Sequence, residues 1–326
     1  MTAPIRDNLH TLGAYLQGEK EANGGGRLAE VLSAIALASK AIAHKVRRAR
    51  IGDDVIGEVG NTNVQGEQQQ KLDVVANDLL MYTLSRCPAV AVCASEEEED
   101  VVVVRPRSAG GEYCVLFDPL DGSSNIDVAA GVGTIFSVLR NEEDDEHTGR
   151  AALQPGSAQV AAGYVLYGSS VLLVLTLGHG VDMFVLDPDV GEFLLVSSGL
   201  SMPSEKKIRS LNGAYRKDFP EGYRAWLDYT ESNGYASRYI GSMVADVHRT
   251  LLKGGVFVYP PTAGAPRGKL RLMYEANPMG LLAEQAGGAA DTGAGRVLDV
   301  VPRELHQRVP VVLGSEGEVA RVLAHL

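Results

Sequence analysis

The sequence predicts an α/β fold. Amphipathic helical stretches alternate with short β-type runs, no internal repeat is present, and 45% of the 326 residues are hydrophobic, enough for one large core or two domains sharing an interface. Charged residues make up 22% and no long low-complexity tract occurs, which argues against intrinsic disorder.

Leu28, Val31, Leu32, Ile35, Ile42 and Val46 recur at helical spacing, so 27–49 is expected to be a helix. Its last turns carry Lys45, Arg47, Arg48 and Arg50, which suits the negative end of a helix dipole. Gly24, Gly25 and Gly26 precede it; a phosphate cradle is one reading, but no GK[ST] follows, and a flexible connector fits better. The segment 51–70, rich in Gly, Asn and Gln, reads as a long loop of the kind that often carries function. A helix is expected at 71–84, then strands at 90–94, 101–104, 114–117, 134–139, 160–166, 171–177, 182–186 and 193–197. Ser, Pro and Lys cluster at 198–207 and mark a boundary between 1–198 and 199–326. Beyond it come helices near 220–232, 240–253 and 275–286, with strands at 256–259 and 309–313.

Residues 160–177 carry no charged side chain and reach the length of a membrane span. Gly168, Ser169 and Ser170 interrupt them and no basic cluster flanks them, so two buried strands joined by a turn are expected. The N-terminus lacks a basic region followed by a long apolar run, unlike a signal peptide. A net charge of −11 argues against nucleic-acid or anionic-membrane partners. It leaves phosphate substrates open, because divalent cations can bridge carboxylates and phosphate oxygens. Cys87, Cys93 and Cys114 read as reduced thiols of a cytoplasmic protein; nothing in their spacing supports a redox pair.

The most informative segment is 117–127, FDPLDGSSNID. A hydrophobic strand is expected to end at Asp118, Pro119 to turn the chain, and Gly122, Ser123 and Ser124 to open a helix or nest. Two carboxylates three residues apart at a strand's end can converge on a hard cation, and the Gly-Ser-Ser amides can hold an anion beside it. The alternative is an Asp-capped turn with an ordinary helix cap. The acidic run Glu96 to Asp100 is usually a solvated face, yet it follows a strand end and can lend carboxylates to a site. Asp73 is either a helix-start acid or a general base.

Late in the chain, Lys269, Arg271 and Met273 alternate as if sharing one strand face, and arginine and lysine both suit phosphate. Asn212, Tyr215, Arg238, Tyr239 and Tyr259 add donors. The seven histidines are scattered, which disfavours a zinc hydrolase and favours all-oxygen ligands.

At these residues the chain resembles the class I fructose-1,6-bisphosphatases, from about 27 to 325. The motifs are FDPLDGSSNID, GTIF at 133–136, LQPG at 153–156, AAGYVLYGSS at 161–170, YIGSMVADVHRTL at 239–251, GGVFVYP at 254–260 and GKLRLMYEANPM at 268–279. AGG at 286–288, VLDVVP at 297–302 and LHQRVPVVLGS at 305–315 extend the match. DPLDGSS belongs to the wider lithium-sensitive phosphatase superfamily, while SMVADVHRT with GKLRLMYE narrows it to this family.

The resemblance implies a layered α/β/α/β/α fold with two mixed sheets. It implies an N-terminal allosteric-type domain, 1–198, carrying metal-site acids, and a C-terminal sugar-bisphosphate domain, 199–326. The implied reaction is magnesium-dependent hydrolysis of fructose 1,6-bisphosphate, with Mn2+ or Zn2+ as substitutes. Asp118, Asp121 and Glu275 match ligands of one ion; Glu96, Asp118 and the Leu120 carbonyl match a second, and Glu67 a third. Asp73 and Glu97 match the pair that activates water. Gly122, Ser123, Ser124 and Arg271 match the 1-phosphate cradle, and Asp121 also touches substrate. Asn212, Tyr215, Tyr239, Tyr259 and Lys269 match the 6-phosphate site, with Met243 near the sugar. Arg238 matches an arginine that reaches a neighbouring subunit's site, so a homotetramer is implied. Sedoheptulose 1,7-bisphosphate is the competing substrate. A silent sugar-phosphate-binding regulator is the competing class, although such a protein would be expected to lose a ligand or the base.

Two departures matter. AMP-inhibited members carry a Thr-Gly-Glu-x-Thr type turn and a lysine beside a tyrosine; here the turn reads Gly25-Gly26-Arg27-Leu28-Ala29, and Glu112 replaces that lysine beside Tyr113. The swap reverses a Coulomb interaction of about 1–4 kcal/mol with a bound phosphate, so weak or absent AMP inhibition is expected unless Arg27 compensates. Residues 141–156 lack the cysteines of redox-regulated plastid members.

Overall fold

The computed structural model describes residues 10–23, 26–49, 51, 58–62, 68–144 and 147–326. Helices α1 (Leu12–Asn23) and α2 (Leu28–Arg48) lead to a short antiparallel pair, β1 (Glu58–Thr62) and β2 (Gln68–Gln70), and to α3 (Lys71–Arg86). Strands β3 (Val90–Ser95), β4 (Val102–Val103), β5 (Tyr113–Asp121), β6 (Val132–Arg140), β7 (Gln159–Tyr167), β8 (Val171–Thr176), β9 (Asp182–Asp187) and β10 (Glu192–Ser197) follow. They form one eight-stranded sheet in the order β10-β9-β8-β7-β6-β5-β3-β4.

A second, five-stranded sheet is built from β11 (Ile208–Ser210), β12 (Ala236–Ser237), β13 (Val256–Tyr259), β15 (Gly288–Asp291) and β17 (Val311–Ser315). Interspersed are α4 (Glu221–Ser232), α5 (Met243–Lys253), the strand pair β14 (Leu270–Arg271) and β16 (Arg308–Val309), α6 (Asn277–Gln285) and α7 (Glu316–Leu323). Both sheets mix parallel and antiparallel pairs: β3 runs parallel to β5 and antiparallel to β4, and β13 runs parallel to β11 and antiparallel to β17.

The period-two alternation of the strands sorts their side chains into layers. Tyr113, Val115 and Phe117 of β5 join the core under α1, α2 and α3, whereas Cys114 and Leu116 face a second core shared with α5, α6 and the smaller sheet. In that sheet Phe257 and Leu313 point into this second core, while Val256, Val258 and Val312 face α4 and α7. The order is therefore α/β/α/β/α, as the resemblance implied. The apolar stretch 160–177 is the antiparallel β7–β8 pair, and no described helix is long and apolar enough to cross a membrane.

Several sequence expectations are corrected. β5 does not stop at Asp118 but runs to Asp121, because the ladder to β6 slips between those residues and admits Pro119, which lacks an N–H. The helix placed at 240–253 starts at Met243, after Ser242, whose Oγ accepts from the Ala245 amide at 3.3 Å; Gly241, with φ of +88°, turns the chain before it. The helix placed at 275–286 begins at Asn277, preceded by a wide π-type turn over Leu272–Ala276. Met273 therefore lies off the strand, and Lys269 is exposed where Arg271 and Met273 are buried. Part of the expected loop 51–70 is the β1–β2 pair, and the strand expected at 101–104 shrinks to two exposed residues at a sheet edge. Helices α1 and α7 and the short strands β11, β12 and β15 were not anticipated; strands of two to four residues are too short to show a period.

Candidate active site

Strand parity aims the acids. Asp118 continues the face of Cys114 and Leu116, and Glu96 continues the face of Ala94 on the neighbouring parallel strand, so both enter the middle layer. The bulge after Asp118 brings Asp121 to the same place. Glu275 arrives from the opposite side on the π-type turn, a widening that often marks functional sites. It folds back so that its Oε2 accepts from the Arg271 amide at 2.6 Å. Carboxylate oxygens of Asp118, Asp121 and Glu275 lie within 4.8 Å of one another.

All four of these acids are buried, and so is Arg271, whose Nη2 lies 2.5 Å from Glu96 Oε1. Burial holds the Asp118 carboxyl well above the usual carboxylate range, with the charges of Glu96, Asp121 and Glu275 adding to it and Arg271 opposing it. Burial also raises Asp121, against the pull of donors from α5: Ser242 Oγ at 2.6 Å, the Val244 amide at 2.8 Å and the Met243 amide at 3.2 Å. Asp118 Oδ1 accepts from the Leu120 amide at 2.9 Å. A cavity of about 110 Å³ opens among Asp73, Glu96, Glu97, Asp118, Leu120, Asp121, Gly122, Ser123, Arg271 and Glu275. Gly122 is required here. Its φ is +76°, and a Cβ would stand 2.6 Å from Ser242 Cβ.

A second cavity of about 140 Å³ adjoins the first, sharing Asp121, Gly122, Arg271 and Glu275, and adds Tyr239, Met243, Tyr259 and Lys269. Asn212 caps a short 3₁₀ turn, accepting from the Ala214 amide at 3.1 Å. Burial pushes the Tyr239 phenol up, and Asn212 is near enough to draw it part of the way back. One end of the site is thus crowded with carboxylates, and the other offers phenols and a lysine.

Comparisons with known proteins match this arrangement. Residues 11–198 fit the family model "Fructose-1-6-bisphosphatase, N-terminal domain", and residues 202–326 fit "Fructose-1-6-bisphosphatase, C-terminal domain". The chain belongs to the fructose-1,6-bisphosphatase family. Mouse (Mus musculus) fructose-1,6-bisphosphatase 1 is 45% identical over 328 residues, spanning 98% of this chain and 96% of that protein. The class 1 fructose-1,6-bisphosphatase of Chlorobium luteolum is 49% identical over 302 residues, 90% of each chain. The solved structure of Leishmania major fructose-1,6-bisphosphatase in holo form superposes with a TM-score of 0.92 at 40% identity, covering 97% of this chain and 98% of that one.

Within this family member the two cavities gather most of the expected site residues, but not all. Ser124 is exposed at the start of the 3₁₀ turn Ser123–Val128 and does not line the acid cavity. Tyr215 stands 51% exposed, close enough to act electrostatically on Tyr239, and Arg238 is exposed, donating to the Ser237 carbonyl at 2.7 Å. Glu67 lies outside the described residues. Of the acidic run, Glu96 is buried and Glu97 half-buried at the cavity, while Glu99 and Asp100 are exposed; the run is a solvated tip whose first two members turn inward. Glu98 accepts from Asn77 Nδ2 at 2.8 Å.

Sequence reasoning passed over Ser242 and the α5 amides that hold Asp121; a serine just before an apolar-periodic stretch was the available signal. The cluster fits the metal ions on which the family depends. Buried carboxylates facing one guanidinium leave excess negative charge that a cation would offset, and the donors are all oxygen.

Proposed function

We propose that this chain hydrolyses the 1-phosphate of fructose 1,6-bisphosphate, yielding fructose 6-phosphate and inorganic phosphate, with magnesium as cofactor and Mn2+ or Zn2+ as substitutes. The observation that carries this reading is the meeting of Asp118, Asp121 and Glu275 beside Arg271 and the Gly122–Ser123 turn. Asp118, Asp121 and Glu275 would hold one ion, Glu96, Asp118 and the Leu120 carbonyl a second, and Glu67 a third. Bound there, magnesium supplies Lewis-acid charge against the phosphate and the departing sugar oxygen.

The remaining steps belong to side chains. Arg271 and the amides of Gly122, Ser123 and Ser124 orient the 1-phosphate so that water attacks phosphorus opposite the sugar oxygen. Asp73 and Glu97 together accept one proton of that water as the new P–O bond forms; the bond from phosphorus to the sugar oxygen breaks, and that oxygen takes a proton from solvent to become the product hydroxyl. Asn212, Tyr215, Tyr239, Tyr259 and Lys269 hold the 6-phosphate, and Met243 packs by the sugar. Residues 1–198 thus carry most of the metal-site acids, and 199–326 the sugar-bisphosphate contacts. Arg238, exposed here, would complete the site of a neighbouring subunit in a homotetramer. The three cysteines are free and buried, which supports a reducing, cytoplasmic setting.

Phosphate release from fructose 1,6-bisphosphate and sedoheptulose 1,7-bisphosphate, with magnesium and with a chelator, tests the reading. Magnesium-dependent release with a higher kcat/KM for the fructose ester is expected; no release from either sugar would falsify it.

Weak or absent AMP inhibition belongs to the same proposal. Glu112 stands where a cation would serve a phosphate, and Arg27 lies 3.9 Å from it but only 2.8 Å from Glu30, so its charge is shared between two carboxylates. Titration with AMP checks this, and inhibition at micromolar concentrations would refute it.

A further inference from the structure

Asp246 has no role in the chemistry above, yet the segments of the distal compartment are fastened to it. It sits in the first turn of α5, 1% exposed. Its Oδ1 accepts from the Ile240 amide and from Ser210 Oγ, both at 2.9 Å, and its Oδ2 from the Gly241 amide at 2.9 Å and the Ile240 amide at 3.1 Å. Ser210 closes β11 and leads two residues later to Asn212; Ile240 and Gly241 directly follow Tyr239. Asn212 and Tyr239 are near enough for Asn212 to act on the Tyr239 phenol. A buried carboxylate beside a cavity assigned to a phosphate repels that phosphate, so its place there calls for a compensating use.

We infer that Asp246 is a positioning residue that sets specificity for the distal phosphate. Its carboxylate fixes the strand end before Asn212 and the turn after Tyr239 at one separation, so the two side chains meet substrate as a preformed pair. The inference rests on the reading that this compartment receives the 6-phosphate.

Asp246→Asn is the sharpest probe. Whichever way the amide turns, an NH2 group faces a backbone N–H, a hydroxyl or both, and at least one clamp bond is lost. The comparison substrate is fructose 1-phosphate, which has no distal phosphate. We expect KM for the bisphosphate to rise about tenfold with kcat within about threefold, while kcat/KM for fructose 1-phosphate falls no more than about twofold. Equal losses on both substrates would overturn the inference by showing that Asp246 acts only through α5 and Asp121; so would an unchanged KM. Should Asp246→Asn fail to fold, judged by thermal unfolding, Ser210→Ala removes one donor from the same carboxylate. It should raise KM for the bisphosphate alone, by about threefold. A wild-type enzyme with no preference for the bisphosphate over fructose 1-phosphate would overturn the compartment's assignment itself, and that failure is visible before any variant is made.

Discussion

Asp118, Asp121, Glu96 and Glu275 sit at 4–8% exposure on strand ends and a π-type turn, whereas Tyr239, lining the cavity at the other end of the site, stands 37% exposed. The acid end is part of the core: Asp118 and Glu96 are aimed by the parity that packs Leu116 and Ala94, and they cannot move without moving the sheet. At the distal end Tyr239 and Lys269 sit in connecting segments outside helices and strands, and the backbone just after Tyr239 is hydrogen-bonded to Asp246. Charge that would be prohibitive without a cation is kept where the scaffold is stiffest, and donors that adapt to a sugar phosphate are kept where it yields. Loss at the first end should therefore appear in kcat, and loss at the second in KM.

Breaking the acid end gives the largest effect. Asp118→Ala should lower kcat by roughly 10³-fold or more, since the carboxylate faces both proposed ion positions. It should also abolish the rise in unfolding temperature on adding magnesium to the wild type. Calorimetry with and without magnesium beside the phosphate assay checks both; a variant still stabilised by the ion would show that the cation binds elsewhere.

Gly122→Ala tests the seam between the ends. The alanine would have to occupy a left-handed conformation with its Cβ against Ser242, the residue that donates to Asp121. A stability loss of about 1–3 kcal/mol is expected, with kcat down by roughly tenfold or more as the strain reaches Asp121. An unchanged melting temperature would mean that the turn relaxes freely.

At the distal end, Lys269→Ala should raise KM for the bisphosphate by about tenfold with little change in kcat. Lys269 is exposed and lines only the second cavity, so its loss leaves the acids in place. A fall in kcat equal to that in kcat/KM would erase the division between the two ends.

The same division explains what the sequence disclosed. The alternation of strands was legible because burial imposes a period, and the acidic turn because two aspartates three residues apart at a strand end can converge on one cation, although a capped turn would leave the same residues. What failed were the joins. That β5 continues through Pro119 depends on a register slip against β6, and the π-type turn that delivers Glu275 depends on a carboxylate folding back onto the Arg271 amide. Neither leaves a periodic trace. The distal residues Asn212, Tyr215 and Tyr239 were legible only as spare donors, and the family resemblance alone gave them a phosphate, because polar side chains in loops carry no pattern that separates them from solvent-facing ones. Asp246 and Ser242 escaped for a related reason. An acid and a serine in the first turn of a helix look like ordinary capping chemistry until the partners across the cleft are seen.

The smallest effect concerns the layer behind both ends. Tyr164 on β7 and His248 on α5 share a 2.8 Å hydrogen bond between hydroxyl and Nδ1, with their rings edge-on 5.9 Å apart. Burial pulls the His248 pKa down from 6.5 to about 4. A depressed value means that the unfolded chain binds the proton more readily, so stability conferred by the neutral ring is present above pH 6.5 and is lost as pH falls through 6.5 towards 4. Across that window the loss should amount to roughly 1–3 kcal/mol. His248→Gln removes the titrating group while keeping a side chain that can hydrogen-bond Tyr164. Its melting temperature should therefore decline less steeply than the wild type's between pH 6.5 and 4, with kinetics at neutral pH nearly unaltered. Because α5 also supplies the amides that grip Asp121, a pH profile that shifts kcat together with stability would show that this layer transmits to the acid end rather than merely supporting it.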